Sequence, residues 1–483
     1  MRHSDVAPVG AKWQGTSSIW GRSCGNGQWV DQVSPLNGAR IQRLRLLDPA
    51  EISELFRLQS PLGKVDRESL RQFCSRLHKE LRTLYPSILD TTQLETAFTR
   101  SDCEEVVLSS LQYVEGFPEY FASLPDTNPD SLGYKDSSGQ RQIHQVALPW
   151  GTVAAILPQS AFLFLAVTCL LNALAAGNRV ILRAPVQCAR SAGQLSLALE
   201  KAQPPGDCVS VVLVSARTFV VALCESRESL LIHYLGSSAH APEILSTCFQ
   251  AGKQVLIDGE GNAWIWVDED TPLDYASDIL TRGALRYNGQ TCTSVNGAII
   301  HPRIYEQLRE HLATRWSKLT FGNPLEANIQ VGPMLDDVQA EECLLRIRDS
   351  GAMVLAGGYR RGNLLAPTLA AEPREDSQLV SHGLFGAALW IAPGDMNSFT
   401  TLWRTNRYPL CAGVLTRSRV LKEYLDRMPG LARLTVNSDP SVEYLYEPWG
   451  GYPGSGTNPV SYWHRKYLRT VQVDCPAWLT HLL

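Results

Sequence analysis

From residue 146 to residue 257 the chain repeats one pattern: a short apolar run, a helical stretch, a turn, then another short apolar run. The runs 146–156, 180–182, 209–214, 230–234 and 255–257 have the length of buried strands. The stretch 163–176 reads as a buried helix and closes on Gly177 and Asn178, residues that stop helices by accepting a left-handed backbone. Strands apolar on both faces that alternate with helices fit a parallel sheet covered on both sides. The fold class is therefore α/β. A chain of 483 residues is too long for one hydrophobic core, so further domains are expected. A second α/β unit should begin beyond Gly261, with a helix at 274–286, a strand at 297–301 and a helix from Tyr305. Near the start, Leu70, Phe73, Cys74, Leu77 and Leu81 recur at helical spacing.

Composition excludes several function classes. A hydrophobic fraction of 44% with 19% charged residues is that of a folded globular chain. Net charge is −4 with no block of like charges, so a nucleic-acid partner is not expected. The first residues are polar and lack the apolar core of a signal peptide. The run 161–176 is interrupted by Thr168 and Asn172 and is short for a bilayer, so no membrane partner is expected either. The 12 cysteines are scattered and none forms a CxxC pair, which gives no support for a metal site or a dithiol centre. A reducing cytoplasm is the simplest compartment for them, and most should be small buried hydrophobes. Cys292 is set apart by its surroundings, Asn-Gly-Gln-Thr-Cys-Thr-Ser. Small polar neighbours keep a thiol accessible and let backbone N–H groups approach it, an arrangement that can lower a thiol pKa and stabilise an oxyanion.

Seven segments, read in order, carry a resemblance: "ALAAGNRVILR" (173–183), "YLGSS" (234–238), "NGQTCTS" (288–294), "FGNPLEANIQVGPML" (321–335), "APTL" (366–369), "LFG" (384–386) and "PWGGYPGSG" (448–456). Together they resemble the aldehyde dehydrogenase superfamily over about residues 30–473, in a divergent form. The resemblance implies a Rossmann-type cofactor domain (1–133 and 147–257), an α/β catalytic domain (258–449), and a small β oligomerisation element (134–146 and 450–483). It implies Cys292 as a nucleophile that attacks an aldehyde, gives up hydride to a nicotinamide cofactor and releases a thioester. Pro158, Gly236, Ser237 and Phe385 are the implied cofactor contacts, Gly236 and Ser237 through backbone N–H groups offered to a diphosphate. A homodimer or homotetramer is implied as well.

Several positions depart from the family pattern. The family's general base, a Glu at the end of a strand, falls on Asp258, one methylene shorter; it is either the base or a strand-end residue bonding its own turn. Glu260 is the fallback. Ser160 stands where the family has an oxyanion-binding Asn. Arg183 replaces a Lys, and Val186 replaces the Glu that favours the bare ribose of NAD, so NADP is expected over NAD. The carboxylate that holds the nicotinamide ribose is replaced by Gly383. Trp264, Trp266, Trp390 and Trp449 either line a tunnel or belong to the core. The leading expectation is oxidation of a small-molecule aldehyde to an acid. Reduction of an acyl-CoA or carrier-bound thioester is the first alternative; a redox-silent acyltransferase or scaffold is the second.

Overall fold

The computed structural model describes residues 17–19, 22–56, 63, 65–124, 134–135, 141–206, 208–228, 230–417 and 422–476. The first sixteen residues and the turn 136–140, on which expectations were placed, lie outside the described residues.

The apolar runs form the expected parallel sheet. Five parallel strands lie in the order Gln254–Asp258, Leu230–Leu235, Thr152–Ile156, Arg179–Ala184 and Val209–Leu213, and a short antiparallel pair, Ser17–Ile19 and Arg22–Cys24, closes the far edge. Strand order reverses between Thr152–Ile156 and Leu230–Leu235, because the chain builds outward on one side of the first strand and then on the other. Such a switch point leaves a crevice at the carboxyl ends of the strands, where ligands bind in open α/β sheets. The loops emerging there contain Pro158, Ser160, Gly236 and Ser237. The strand order thus brings four of the expected site residues to one place.

A face of the sheet is covered by the helix Phe162–Ala175, buried along its length as its composition requires. The helix Arg67–Thr83 starts on Asp66, whose carboxylate accepts the Ser69 N–H at 2.8 Å. Leu70, Phe73, Cys74, Leu77 and Leu81 form its buried stripe, each worth about 1.5–3 kcal/mol if fully shielded.

A second sheet runs Met353–Ala356, Thr368–Ala371, Ala388–Pro393, Val295–Ile300, Ala263–Val267, Cys411–Leu415 and Arg433–Val436, parallel except for the first strand. The first sheet ends on Asp258 and the second begins at Ala263, so only four residues join them. The helix expected at 274–286 spans Leu273–Leu285, and the strand expected at 297–301 spans Val295–Ile300. The next helix, Pro302–Trp316, starts before Tyr305 because His301 caps it and proline suits its first turn. Trp264 and Trp390 pack edge-to-face at 5.2 Å in the core of this unit, which removes them from any tunnel. Trp266 is buried there as well.

The arm is a three-stranded sheet in the order Leu468–Pro476, Arg141–Pro149, Tyr134–Lys135. Leu468 pairs with Pro149 and Pro476 with Arg141, so the arm strand runs three residues past the expected boundary at 146. Among the described residues Leu468–Pro476 is paired on one side only. Among the described residues, no helix is long and apolar enough to cross a membrane.

Candidate active site

A cavity of about 430 Å³ opens between the carboxyl edge of the first sheet and the amino ends of strands in the second. Cys292, Asp258, Ser160, Pro158, Gly236, Ser237 and Phe385 all border it, as does Glu260. Arg183 does not. It sits at the carboxyl end of its strand in register with Ile156, and its Nε donates to the Val214 carbonyl at 2.9 Å. Burial lowers its pKa to about 10, so it stays cationic at neutral pH.

The loop that presents Cys292 is held in an uncommon conformation. Tyr287, Asn288 and Gly289 are consecutively left-handed, with φ of 54°, 55° and 69°. Such a run persists only when its surroundings over-determine it. Asn288 does this from both ends of its amide: Nδ2 donates to the Ala97 carbonyl at 3.0 Å, and Oδ1 accepts the Gly332 N–H at 2.8 Å. Gln290 Oε1 accepts the Leu335 N–H at 3.2 Å. On the other side the Cys292 carbonyl presses on Gly261, where a Cβ would lie 1.9 Å away. Only glycine fits there.

The thiol is not activated at rest. Cys292 keeps some contact with the cavity but is otherwise surrounded by protein. Burial first, then the charges of Glu443, Cys411 and Asp258, push its pKa well above the ordinary thiol range, and its own backbone N–H offsets only part of that. The expectation of a lowered thiol pKa is corrected: small neighbours open the thiol to the cavity, but burial first, and the acidic groups around it second, push its pKa up. A nucleophilic role for this thiol would therefore need a base.

Asp258 is tied on several sides. His233 Nε2 lies 2.7 Å from its Oδ2 and must donate, since a carboxylate only accepts. Asn458 Nδ2 donates to its Oδ1 at 3.3 Å, and Tyr467 meets His233 Nδ1 at 2.8 Å. Burial favours protonation, but the Lys466 ammonium, His233 and Asn458 outweigh it and hold the carboxyl below the usual carboxylate range. Lys466 is itself buried, and among the described residues its Nζ has no hydrogen-bond acceptor; its compensation is the face of Trp463 at 4.7 Å and the charge of Asp258. Asp258 thus borders the cavity as the centre of a buried polar cluster. It is not a free carboxylate.

Gly236 also needs correction as a diphosphate donor. Its N–H is committed to the Asp258 carbonyl at 3.1 Å, extending the strand ladder. Ser237 Oγ donates to Glu260 Oε1 at 2.7 Å and accepts the Ala239 N–H at 3.3 Å. Glu260, the fallback base, is engaged there. Ser160 faces the cavity, and its hydroxyl has no partner among the described residues. Gly383 is left-handed at φ 67°, and a Cβ there would lie 2.5 Å from Asn262 Oδ1. A carboxylate-bearing residue does not fit at that position.

Three groups were missed in the sequence. Gln339, Glu342 and Arg346 lie on one face of the helix Asp337–Asp349 and border the cavity at spacings of three and four residues, the helical repeat. Among the described residues Gln339 Oε1 is a buried acceptor with no partner, while Arg346 donates to the Gly383 carbonyl at 3.1 Å. Glu443 is the second, and His233 beside Asp258 the third. Glu443 projects from the loop after Arg433–Val436, and its Oε1 accepts the Thr293 hydroxyl at 3.1 Å, one residue from the thiol. His233 had a legible signal, a histidine within the apolar strand Leu230–Leu235; Glu443 had none.

Comparison with known proteins agrees with this architecture. The aldehyde dehydrogenase family profile matches residues 20–473. A 3-sulfolactaldehyde dehydrogenase from Priestia aryabhattai is 27% identical over 324 residues, covering 66% of this chain and 67% of the relative. The NAD+ complex of an aldehyde dehydrogenase from Bacillus cereus superposes with a TM-score of 0.86 at 18% identity, covering 96% of both chains. A glyceraldehyde-3-phosphate dehydrogenase from Methanocaldococcus jannaschii, complexed with NADP, superposes at 0.79 with 19% identity, covering 92% of this chain and 98% of the other. The chain belongs to the aldehyde dehydrogenase family and is an NAD(P)-dependent oxidoreductase of that type.

Proposed function

We propose that this chain oxidises an aldehyde to its acid through a thioester on Cys292, using NADP in preference to NAD. The observation that carries the reading is the thiol itself, set on a rigid left-handed loop at the wall of a cavity that opens onto the switch-point crevice. Sγ attacks the aldehyde carbon. The Ser160 hydroxyl and the Cys292 N–H are the donors for the developing oxyanion. Bound nicotinamide supplies the hydride acceptor. The resulting acyl group stays on Cys292 until water releases the acid.

The residues present fit a nicotinamide cofactor. The helix Asp337–Asp349 would hold its ribose side: Gln339 Oε1 would accept from a ribose hydroxyl, and Glu342 would offer the carboxylate that Gly383 cannot. Phe385 borders the cavity beside them and would pack on the ring. At the far end, Arg183 keeps the rest of its guanidinium for a 2'-phosphate once Nε is held by Val214. Arg183→Ala is expected to weaken NADPH roughly 10- to 100-fold more than NADH, the range for a charge-assisted contact. Fluorescence titration with both cofactors checks this; equal losses would remove the preference.

An apolar wall that includes Phe164, Leu410 and Trp449 suits an uncharged aldehyde substituent. Intact-protein mass spectrometry after offering aldehydes with and without cofactor tests the route: an acyl adduct on Cys292 is expected only with cofactor. A second reading, in which the thioester exchanges with CoA or a carrier thiol instead of water, draws on the tethering of Asp258. Acceleration of turnover by added CoA would favour it. The open edge of Leu468–Pro476 supports a homodimer or homotetramer. Sedimentation at micromolar concentration should show no monomer.

A further inference from the structure

We propose that Glu443 is the catalytic base of the Cys292 cycle, the role that the position of Asp258 suggests and its bonding denies. The proposal rests on the thioester route above. Six carboxylates border the cavity: Glu105, Asp258, Glu260, Glu342, Glu443 and Glu447; Glu105 is paired with Arg286 and Glu447 with Arg433, and Glu443 and Asp258 are the two whose charge acts on the Cys292 thiol. Asp258 is fastened by His233 and Asn458, and Glu260 by Ser237. Among the described residues Glu443 has a single side-chain hydrogen-bond partner, the Thr293 hydroxyl at 3.1 Å, which places its carboxylate against the residue that follows Cys292.

The electrostatics agree with the geometry. Of the carboxylates, Glu443 acts most strongly on the thiol, ahead of Asp258. It has broad access to the cavity by area, yet protein crowds it on the other sides; burial and then Glu447 raise its pKa, while Thr293, Arg433 and Arg286 offset part of the rise. A base works best when its pKa lies near the working pH. Two carboxylates pushed in opposite directions at one site divide the work: the lowered one stays ionised and structural, the raised one exchanges protons.

The proton balance closes. As the C–S bond forms, the Cys292 thiol proton passes to Glu443 and then to cavity water. The hydride leaves to the nicotinamide named above. In deacylation Glu443 takes a proton from the attacking water as the C–O bond forms. The C–S bond then breaks, and Glu443 returns that proton to the departing thiolate. The acid product leaves as its carboxylate, with its proton released to solvent.

The test compares Glu443→Gln, Glu443→Asp and Cys292→Ala with the wild-type enzyme, using an aldehyde that the wild type oxidises. Glu443→Gln is expected to lower kcat about 10²- to 10³-fold, the usual contribution of a general base. NADPH affinity should stay unchanged, and Glu443→Asp should restore part of kcat. The acidic limb of the wild-type kcat profile should vanish in Glu443→Gln. The charged groups facing Glu443, namely Glu447, Arg433, Arg286 and Asp258, and the thiols of Cys292 and Cys411, remain in that variant. A kcat within threefold of wild type in Glu443→Gln, or a rise in KM alone, overturns the proposal while leaving the thioester route standing. Wild-type turnover in Cys292→Ala would overturn both.

Discussion

Turnover in Cys292→Ala is expected to fall by more than about 10⁴-fold, the scale on which enzymes lose activity when the nucleophile is removed. No other cysteine can take over. Among the described residues, eight of the remaining eleven thiols are buried, among them Cys343, which borders the cavity with its pKa pushed up to about 11 by burial, and the half-buried Cys24, Cys224 and Cys475 lie away from the cavity. Fold and stability should hardly change, because Sγ faces the cavity and the loop is held through Asn288 and Gln290 instead. The expected stability change is within about 0.5 kcal/mol, as for a substitution that breaks no buried bond. The measurement is aldehyde-dependent reduction of the nicotinamide, alongside thermal unfolding and mass spectrometry of the acyl adduct. A variant that is folded, inactive and adduct-free is the expected result; retained turnover would remove the covalent mechanism.

Asp258→Ala should instead act on stability. The substitution leaves the Lys466 ammonium buried with no counter-charge and removes the acceptor for His233 Nε2. Breaking a buried pair from one side costs roughly 3–5 kcal/mol, so the melting temperature should drop by several degrees. The sign of the pH dependence follows from the two shifts. Asp258 is held below its ordinary range, so its stabilisation is full above the unfolded carboxylate pKa of about 3.9 and is lost as pH falls through the lower folded value. Burial holds Lys466 below its ordinary range, so the native state sheds that proton earlier than the unfolded chain and gains stability as pH rises through the gap. The defect of Asp258→Ala should accordingly shrink at alkaline pH, where Lys466 becomes neutral. Thermal unfolding of both proteins across pH 5 to about 10 checks this. An unchanged melting temperature at neutral pH would show that the cluster is not held by Asp258.

Much of this molecule was determined by its sequence alone. Apolar runs alternating with helices impose a parallel sheet, because strands buried on both faces have no other packing. Strand order then places the loops with Pro158, Ser160, Gly236 and Ser237 at one crevice, and the small residues around Cys292 single it out as the proposed nucleophile. These are local signals, carried by periodicity and by neighbours along the chain.

Only the tertiary structure decided which carboxylate is free. Asp258 was legible as a position, but its partners His233 and Asn458 lie 25 and 200 residues away. Whether a strand-end acid is a base or a buried anchor depends on what packs against it, and nothing within a few residues of Asp258 reveals that. Glu443 reaches the thiol loop across 150 residues, through a hydrogen bond to Thr293. The same holds for Gly383, whose left-handed backbone against Asn262 explains the missing carboxylate, and for Gln339 and Glu342, which face the cavity from another helix. Periodicity reports which face of an element is buried; polar groups acquire their roles from partners brought together by packing, and those separations carry no local signature.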